Sequence, residues 1–106
     1  MAVSYTRESP EWPSPELAEQ NAAILEWAEG TAFRMTKGFK DVTCGCSIAG
    51  RPGLTKLLRE ASRKARKWTT VIVTDPMRLS SNRDEQALIL SWFKVKGVKV
   101  LFVYEC

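Results

Sequence analysis

The stretch that decides the fold is residues 69–104, TTVIVTDPMRLSSNRDEQALILSWFKVKGVKVLFVY. It opens on TTVIVT (69–74), a continuous β-branched run of the kind found in strands covered on both faces. DPMRLSSN (75–82) is dense in turn formers and predicts a loop. RDEQALILSWFKVK (83–96) predicts a helix, with Asn82 as its cap and acids in its first turn. Gly97 stops that helix, and VKVLFVY (98–104) predicts a last buried strand. A strand, a helix and a strand at this spacing form one crossover unit, so the sheet is expected to be parallel.

The same alternation continues toward the N-terminus. LTKLLREASRKARKW (54–68) places Leu54, Leu57, Leu58, Ala61, Ala65 and Trp68 on one stripe, which predicts an amphipathic helix across its length. Its other face carries Lys56, Arg59, Arg63, Lys64, Arg66 and Lys67, read first as a solvated face and second as a DNA contact. KDVTCGCSIAGRPG (40–53) is a loop, and TAFRMTKGF (31–39) alternates weakly as a second strand. Leu17, Ile24, Leu25 and Ala28 share a face of a first helix that Ser14 and Pro15 would open and Gly30 would end. Ala2 to Tyr5 is a short apolar start, the first strand. The expected fold is α/β: three layers, with a mainly parallel sheet of about four strands flanked by helices.

The chain has 106 residues, 44% hydrophobic and 26% charged, which fits one globular domain over residues 1–106. Its formal charge of +4 permits an anionic partner without demanding one. Histidine is absent, which removes the commonest general base and metal ligand. The three cysteines, Cys44, Cys46 and Cys106, are an odd number, and no secretory leader precedes Tyr5. The expectation is a reduced, cytoplasmic chain without a membrane span. Cys44 and Cys46 supply two thiolates where a tetrahedral metal site wants four ligands, so neither metal nor cofactor is expected.

Ligands of open parallel sheets bind beyond the carboxyl ends of the strands. Arg7 and Ser9 follow the first predicted strand, and Asp41 the second, with Arg51 further along the same loop. Asp75, Arg78, Ser80 and Ser81 follow the third. Guanidinium forks bind phosphate oxygens, and a serine beside them could attack phosphorus. Composition alone would make these ordinary polar loop residues.

Three blocks carry a resemblance. YTRES (5–9) is similar to the Tyr-x-Arg-x-Ser signature that opens the catalytic domain of serine recombinases, the resolvase/invertase group. GRPGL (50–54) before a helix resembles that family's Arg-x-Gly-Leu segment. MRLSSNRDE (77–85), followed by a helix, Gly-Val and a strand, resembles its Asp-Arg-Leu-Ser-Arg block. The resemblance implies a resolvase-like catalytic domain and a definite chemistry. A serine attacks a DNA phosphodiester, forms a 5′-phosphoserine link and leaves a free 3′-hydroxyl, which later attacks back. On it Ser9 is the nucleophile, and Arg7, Arg51 and Arg78 hold the scissile phosphate. Asp41 matches a loop acid that supports the arginines and helps move a proton. Gln20 matches a glutamine of the first helix. The implied partners are DNA and further copies of the chain, as a dimer or tetramer.

Two departures stand against this. Met77 replaces the family's acid before Arg78, and Ser81 replaces its second arginine; Asp75 and Arg83 lie two residues to either side. No helix-turn-helix or long dimer helix is seen after the last strand, so no DNA-binding domain is expected in the chain. The competing reading is a degenerate, catalytically weak module that keeps the fold and self-association. Helix 83–96 is apolar almost all round, and its surplus is either a protein interface or deep cover within a small domain.

Overall fold

The computed structural model describes residues 1–8, 16–31, 33–43 and 50–104. Four strands and three helices alternate as expected: β1 (Ala2–Glu8), α1 (Leu17–Thr31), β2 (Met35–Val42), α2 (Pro52–Ala61), β3 (Thr70–Val73), α3 (Arg83–Val95) and β4 (Lys99–Phe102). A single 3₁₀ turn, Pro76–Arg78, stands between β3 and α3. All pairings are parallel, in the order β2-β1-β3-β4.

The sheet sorts its side chains by parity. Ala2 of β1 and Ile72 of β3 face one side, where they pack with Ile24 of α1. Val3, Tyr5, Val71 and Val73 face the other side, where Leu54, Leu57, Ile89 and Phe93 of α2 and α3 cover them. Helix α1 therefore lies on one face, and α2 and α3 on the opposite one. This follows from connection handedness. The step from β1 to β2 runs one way along the sheet, and the later steps run the other, so the helices change face. The reversal opens a crevice beyond β1 and β3, the place where such sheets bind ligands.

β1 and β3 pair only from Ala2↔Thr70 to Ser4↔Ile72. Beyond Ser4, β1 continues with β2 alone, as far as Glu8↔Val42. The residues after β3 turn into the gap this leaves.

Several boundaries differ from the sequence reading. β1 runs past Tyr5, so Arg7 lies within a strand and not after it. Asp41 likewise lies within β2, as the register partner of Arg7. β2 begins at Met35 and α1 runs through Gly30 to Thr31, whose hydroxyl bonds the carbonyls of Trp27 and Ala28. Leu25 is exposed, off the buried stripe of Gln20, Ile24 and Ala28. Helix α2 ends at Ala61 and does not reach Trp68. Arg66 donates to the Ala61 carbonyl, closing the helix end, and Trp68 is buried without helical register because its indole N–H bonds Glu60 at 2.8 Å. Ser14 and Pro15 lie outside the described residues.

Candidate active site

Three arginines, one from β1 and two from the connections after β2 and β3, meet beside the crevice, and the backbone ties them together. Arg7, from β1, donates from Nε to the carbonyl of Arg78 at 3.2 Å and from its two terminal nitrogens to the carbonyls of Thr43 and Met77. Arg78 answers from a terminal nitrogen to the Arg7 carbonyl at 3.0 Å. Arg51, at the mouth of α2, donates to the Leu79 carbonyl and pairs with Glu85 of α3. Its side chain is wholly buried, and that of Arg7 nearly so. An arginine is hard to bury without partners, and carbonyl oxygens here supply them.

Asp41 is an anchor. Its Oδ1 accepts from the backbone N–H of Gly53 at 2.7 Å. Its Oδ2 accepts from Leu54 N–H at 2.9 Å and from the Tyr5 hydroxyl at 2.8 Å. A carboxylate thus satisfies orphan donors in the first turn of α2 and sits on the positive end of that helix. Arg51 is the residue just before, so Asp41 fixes where the guanidinium starts. Gly53 is required by closeness: a Cβ there would run into the Lys40 carbonyl, coming 2.8 Å from its carbon and 3.0 Å from Asp41 Oδ1.

Burial pushes the Tyr5 hydroxyl well above its ordinary value, and the Asp41 hydrogen bond and charge push the same way. The Arg51 guanidinium works against them. Tyr5 therefore stays protonated and serves as a donor.

Gln20 from α1 reaches β1 from the opposite face. Its Oε1 accepts from Arg7 N–H at 3.1 Å and its Nε2 donates to the Arg7 carbonyl at 2.8 Å. Both bonds hold the backbone of Arg7 near the end of β1.

An acid does stand against Arg78, although position 77 lacks one: Asp75 Oδ1 lies 3.4 Å from Arg78 Nε. Met77 itself is half exposed. Arg83 is exposed in the first turn of α3, whose cap is Asn82, accepting from the N–H groups of Asp84 and Glu85. Ser80 is buried, with its hydroxyl accepting from Asn82 N–H, and Ser81 is exposed.

Of the expected site residues, Arg7, Arg51, Arg78 and Asp41 come together. Ser9, Cys44, Cys46 and Cys106 lie outside the described residues. Among the described residues no three His, Cys, Asp or Glu side chains gather as metal ligands, and no helix is long and apolar enough to cross a membrane. The roles of Tyr5 and Glu85 were not read from the sequence. Tyr5 stood in the quoted YTRES block, but nothing local marks it as a partner of Asp41, and Glu85 looks like any acid of a first helical turn.

The family profile described as "Resolvase, N terminal domain" matches residues 2–105. Among solved structures, the chain is similar to the C-terminal catalytic domain of ISC1926 TnpA, an IS607-like serine recombinase. The identity is 26% and the TM-score 0.82, over 99% of this chain and 70% of that one. It is also similar to the N-terminal catalytic domain of TP901-1 integrase, with 24% identity and a TM-score of 0.80 over 96% of this chain and 75% of that one. A third likeness is the first open reading frame of transposon ISC1904 from Sulfolobus solfataricus, at 20% identity and a TM-score of 0.77, covering 99% and 68%. No curated protein matches the chain in sequence. With the profile spanning nearly every residue and the fold shared throughout, the chain belongs to the resolvase N-terminal domain family.

Proposed function

We propose that this chain cuts and rejoins DNA at a chosen site, with Ser9 as nucleophile. The carrying observation is the knot of Arg7, Arg51 and Arg78, in which Arg7 and Arg51 donate to carbonyls of residues 77–79 and Arg78 donates to the carbonyl of Arg7, two residues before Ser9 in the sequence. Ser9 Oγ attacks phosphorus and a P–Oγ bond forms. The bond from phosphorus to the 3′ oxygen breaks, and that oxygen leaves as a hydroxyl once it gains a proton; the serine proton is the one released. The guanidinium groups stabilise charge on the non-bridging oxygens and favour an ionised serine. Reversal by a 3′-hydroxyl restores the phosphodiester, so the phosphoserine link conserves the bond energy and no cofactor is consumed. Asp41 and Gln20 act as positioning residues, on α2 and on β1.

A second reading is favoured by one observation. Arg51 is buried against Glu85, and Arg7 gives its donors to carbonyls, so neither guanidinium is presented to solvent as the chain stands. On that reading the chain is a weak catalyst that works through assembly with further copies. Incubation with supercoiled DNA carrying the site, quenched by detergent, separates the two. The enzyme gives protein attached to 5′ ends, lost in Ser9→Ala. Absence of adducts with wild-type protein refutes the cleavage reading.

A further inference from the structure

The two sides of the sheet carry opposite charge. Helix α1 holds Glu19, Glu26 and Glu29 and no basic residue. On the other face, α2 and the turn after it hold Lys56, Arg59, Arg63, Lys64, Arg66 and Lys67 against a single acid, Glu60. The sequence alone read this second face first as solvated and second as a DNA contact. The structure adds a shape to it.

Three adjoining depressions run between α2 and the edge strand β2. The first, of about 310 Å³, is bordered by Phe39, Pro52, Gly53 and Lys56, at the helix mouth next to Arg51. The second, of about 330 Å³, continues from Phe39 and Lys56 to Lys37, Arg59 and Arg63. The third, of about 400 Å³, extends from Lys37 and Arg63 to Lys67 and Trp68. Shared lining residues make them one groove. Lys56 and Arg59 stand three residues apart on α2 and fall on one stripe of its wall, and Arg63, just past the helix end, borders the same depression. Lys37 is neutralised within the groove by Glu60, at 2.6 Å, and rests over the Phe39 ring. Hydrogen bonds from Lys37 and from Trp68 hold the Glu60 carboxyl below the usual range, although its partial burial opposes them. Among the described residues, no salt bridge involves Lys56, Arg59, Arg63 or Lys67.

We propose that this groove holds the phosphate backbone of duplex DNA flanking the bond under attack. The inference rests on the reading of the site as DNA-handling, and adds a second contact surface to it. A helix of this length covers about 15 Å. At about 3.4 Å of rise per base pair, that is four to five base pairs of one strand. The groove starts at Pro52 and Gly53, directly after Arg51, so the groove and the arginine knot share the mouth of α2. The acidic α1 face lies across the sheet and repels the same polymer, which fixes orientation.

The test measures binding of a fluorescent 20-base-pair duplex across a salt series, for the chain carrying Ser9→Ala so that no covalent step intervenes. Neutralising Lys56→Gln, Arg59→Gln and Arg63→Gln together is expected to flatten the slope of log K against log salt by about 2.7. Between 50 and 200 mM salt, the variant then loses about 40-fold less affinity than its parent. A control of equal net charge neutralises the exposed Arg34, Lys94 and Lys99 and is expected to flatten the slope far less. Equal flattening in both variants, or none in the groove variant, overturns the proposal. So does light scattering that shows the groove residues driving self-association, with the α1 face of a second copy as occupant. The adduct assay with Ser9 intact is read separately. Adducts with no groove effect sink the groove alone; a groove effect without adducts keeps the groove and sinks cleavage.

Discussion

Asp41→Asn is the sharpest test of how the site is held. The carboxylate takes three donors: the backbone N–H groups of Gly53 and Leu54 and the Tyr5 hydroxyl. An asparagine of the same shape has one acceptor oxygen and an amide that only donates. If the oxygen faces Gly53, the amide confronts the N–H of Leu54 and the Tyr5 hydroxyl must turn to accept. If it faces Leu54, the amide confronts Gly53. Either way one N–H at the mouth of α2 loses its partner, at a cost of about 1–3 kcal/mol. Loss of a negative charge from the helix N-terminus adds about 1 kcal/mol. Together the variant should lose roughly 2–4 kcal/mol, a fall in melting temperature on the order of 10–25 °C for a domain of this size. Thermal unfolding followed by circular dichroism measures it. DNA cleavage should fall along with stability, since Arg51 is displaced with its helix. A variant that melts within about 3 °C of wild type while losing cleavage would refute the anchor and make Asp41 a proton carrier.

Three further outcomes follow from the same geometry. Gly53→Ala gains at most about 1 kcal/mol of helix propensity, but its methyl meets the Lys40 carbonyl. Overpacking of this kind costs about 1–3 kcal/mol, so the net effect in urea denaturation should be a loss, and a gain would refute the contact. Tyr5 keeps its proton in the folded state beyond the pH at which the unfolded chain loses it. Its contribution is therefore whole below about pH 10 and declines as pH rises further. Tyr5→Phe should abolish that alkaline decline, as read from denaturation midpoints between neutral pH and pH 11. Gln20→Ala removes both side-chain bonds to the Arg7 backbone. It should cost about 2–4 kcal/mol, and hydrogen exchange at the end of β1 should speed up; unchanged exchange there would refute the clamp.

The exposed part of α3 gives partial support to the sequence reading of that helix. Ile89 and Phe93 are buried, whereas Leu88 and Val95 stand 69% and 79% exposed. Only one stripe of this nearly all-apolar helix meets the sheet. The other stripe is the surface available for the self-association expected of the chain.

The order of strands and helices was legible in the sequence because it is written in local periods: a β-branched run for β3, the Asn82 cap and its acids for α3, and Gly97 for the turn out of it. The gathering of Arg7, Arg51, Arg78 and Asp41 was legible too, once parallel strands put their carboxyl ends on one edge. Only tertiary structure decided what each group does there. Asp41 became an anchor because Gly53, Leu54 and Tyr5, distant in sequence, all converge on one carboxylate. Arg51 met Glu85 across 34 residues, and the end of β1 became the ledge on which Arg78 and Gln20 rest. Periodicity is a property of neighbours along the chain, so sequence reveals it. A buried charge takes whichever donors and acceptors the finished packing brings within 3 Å or so, and nothing local specifies them.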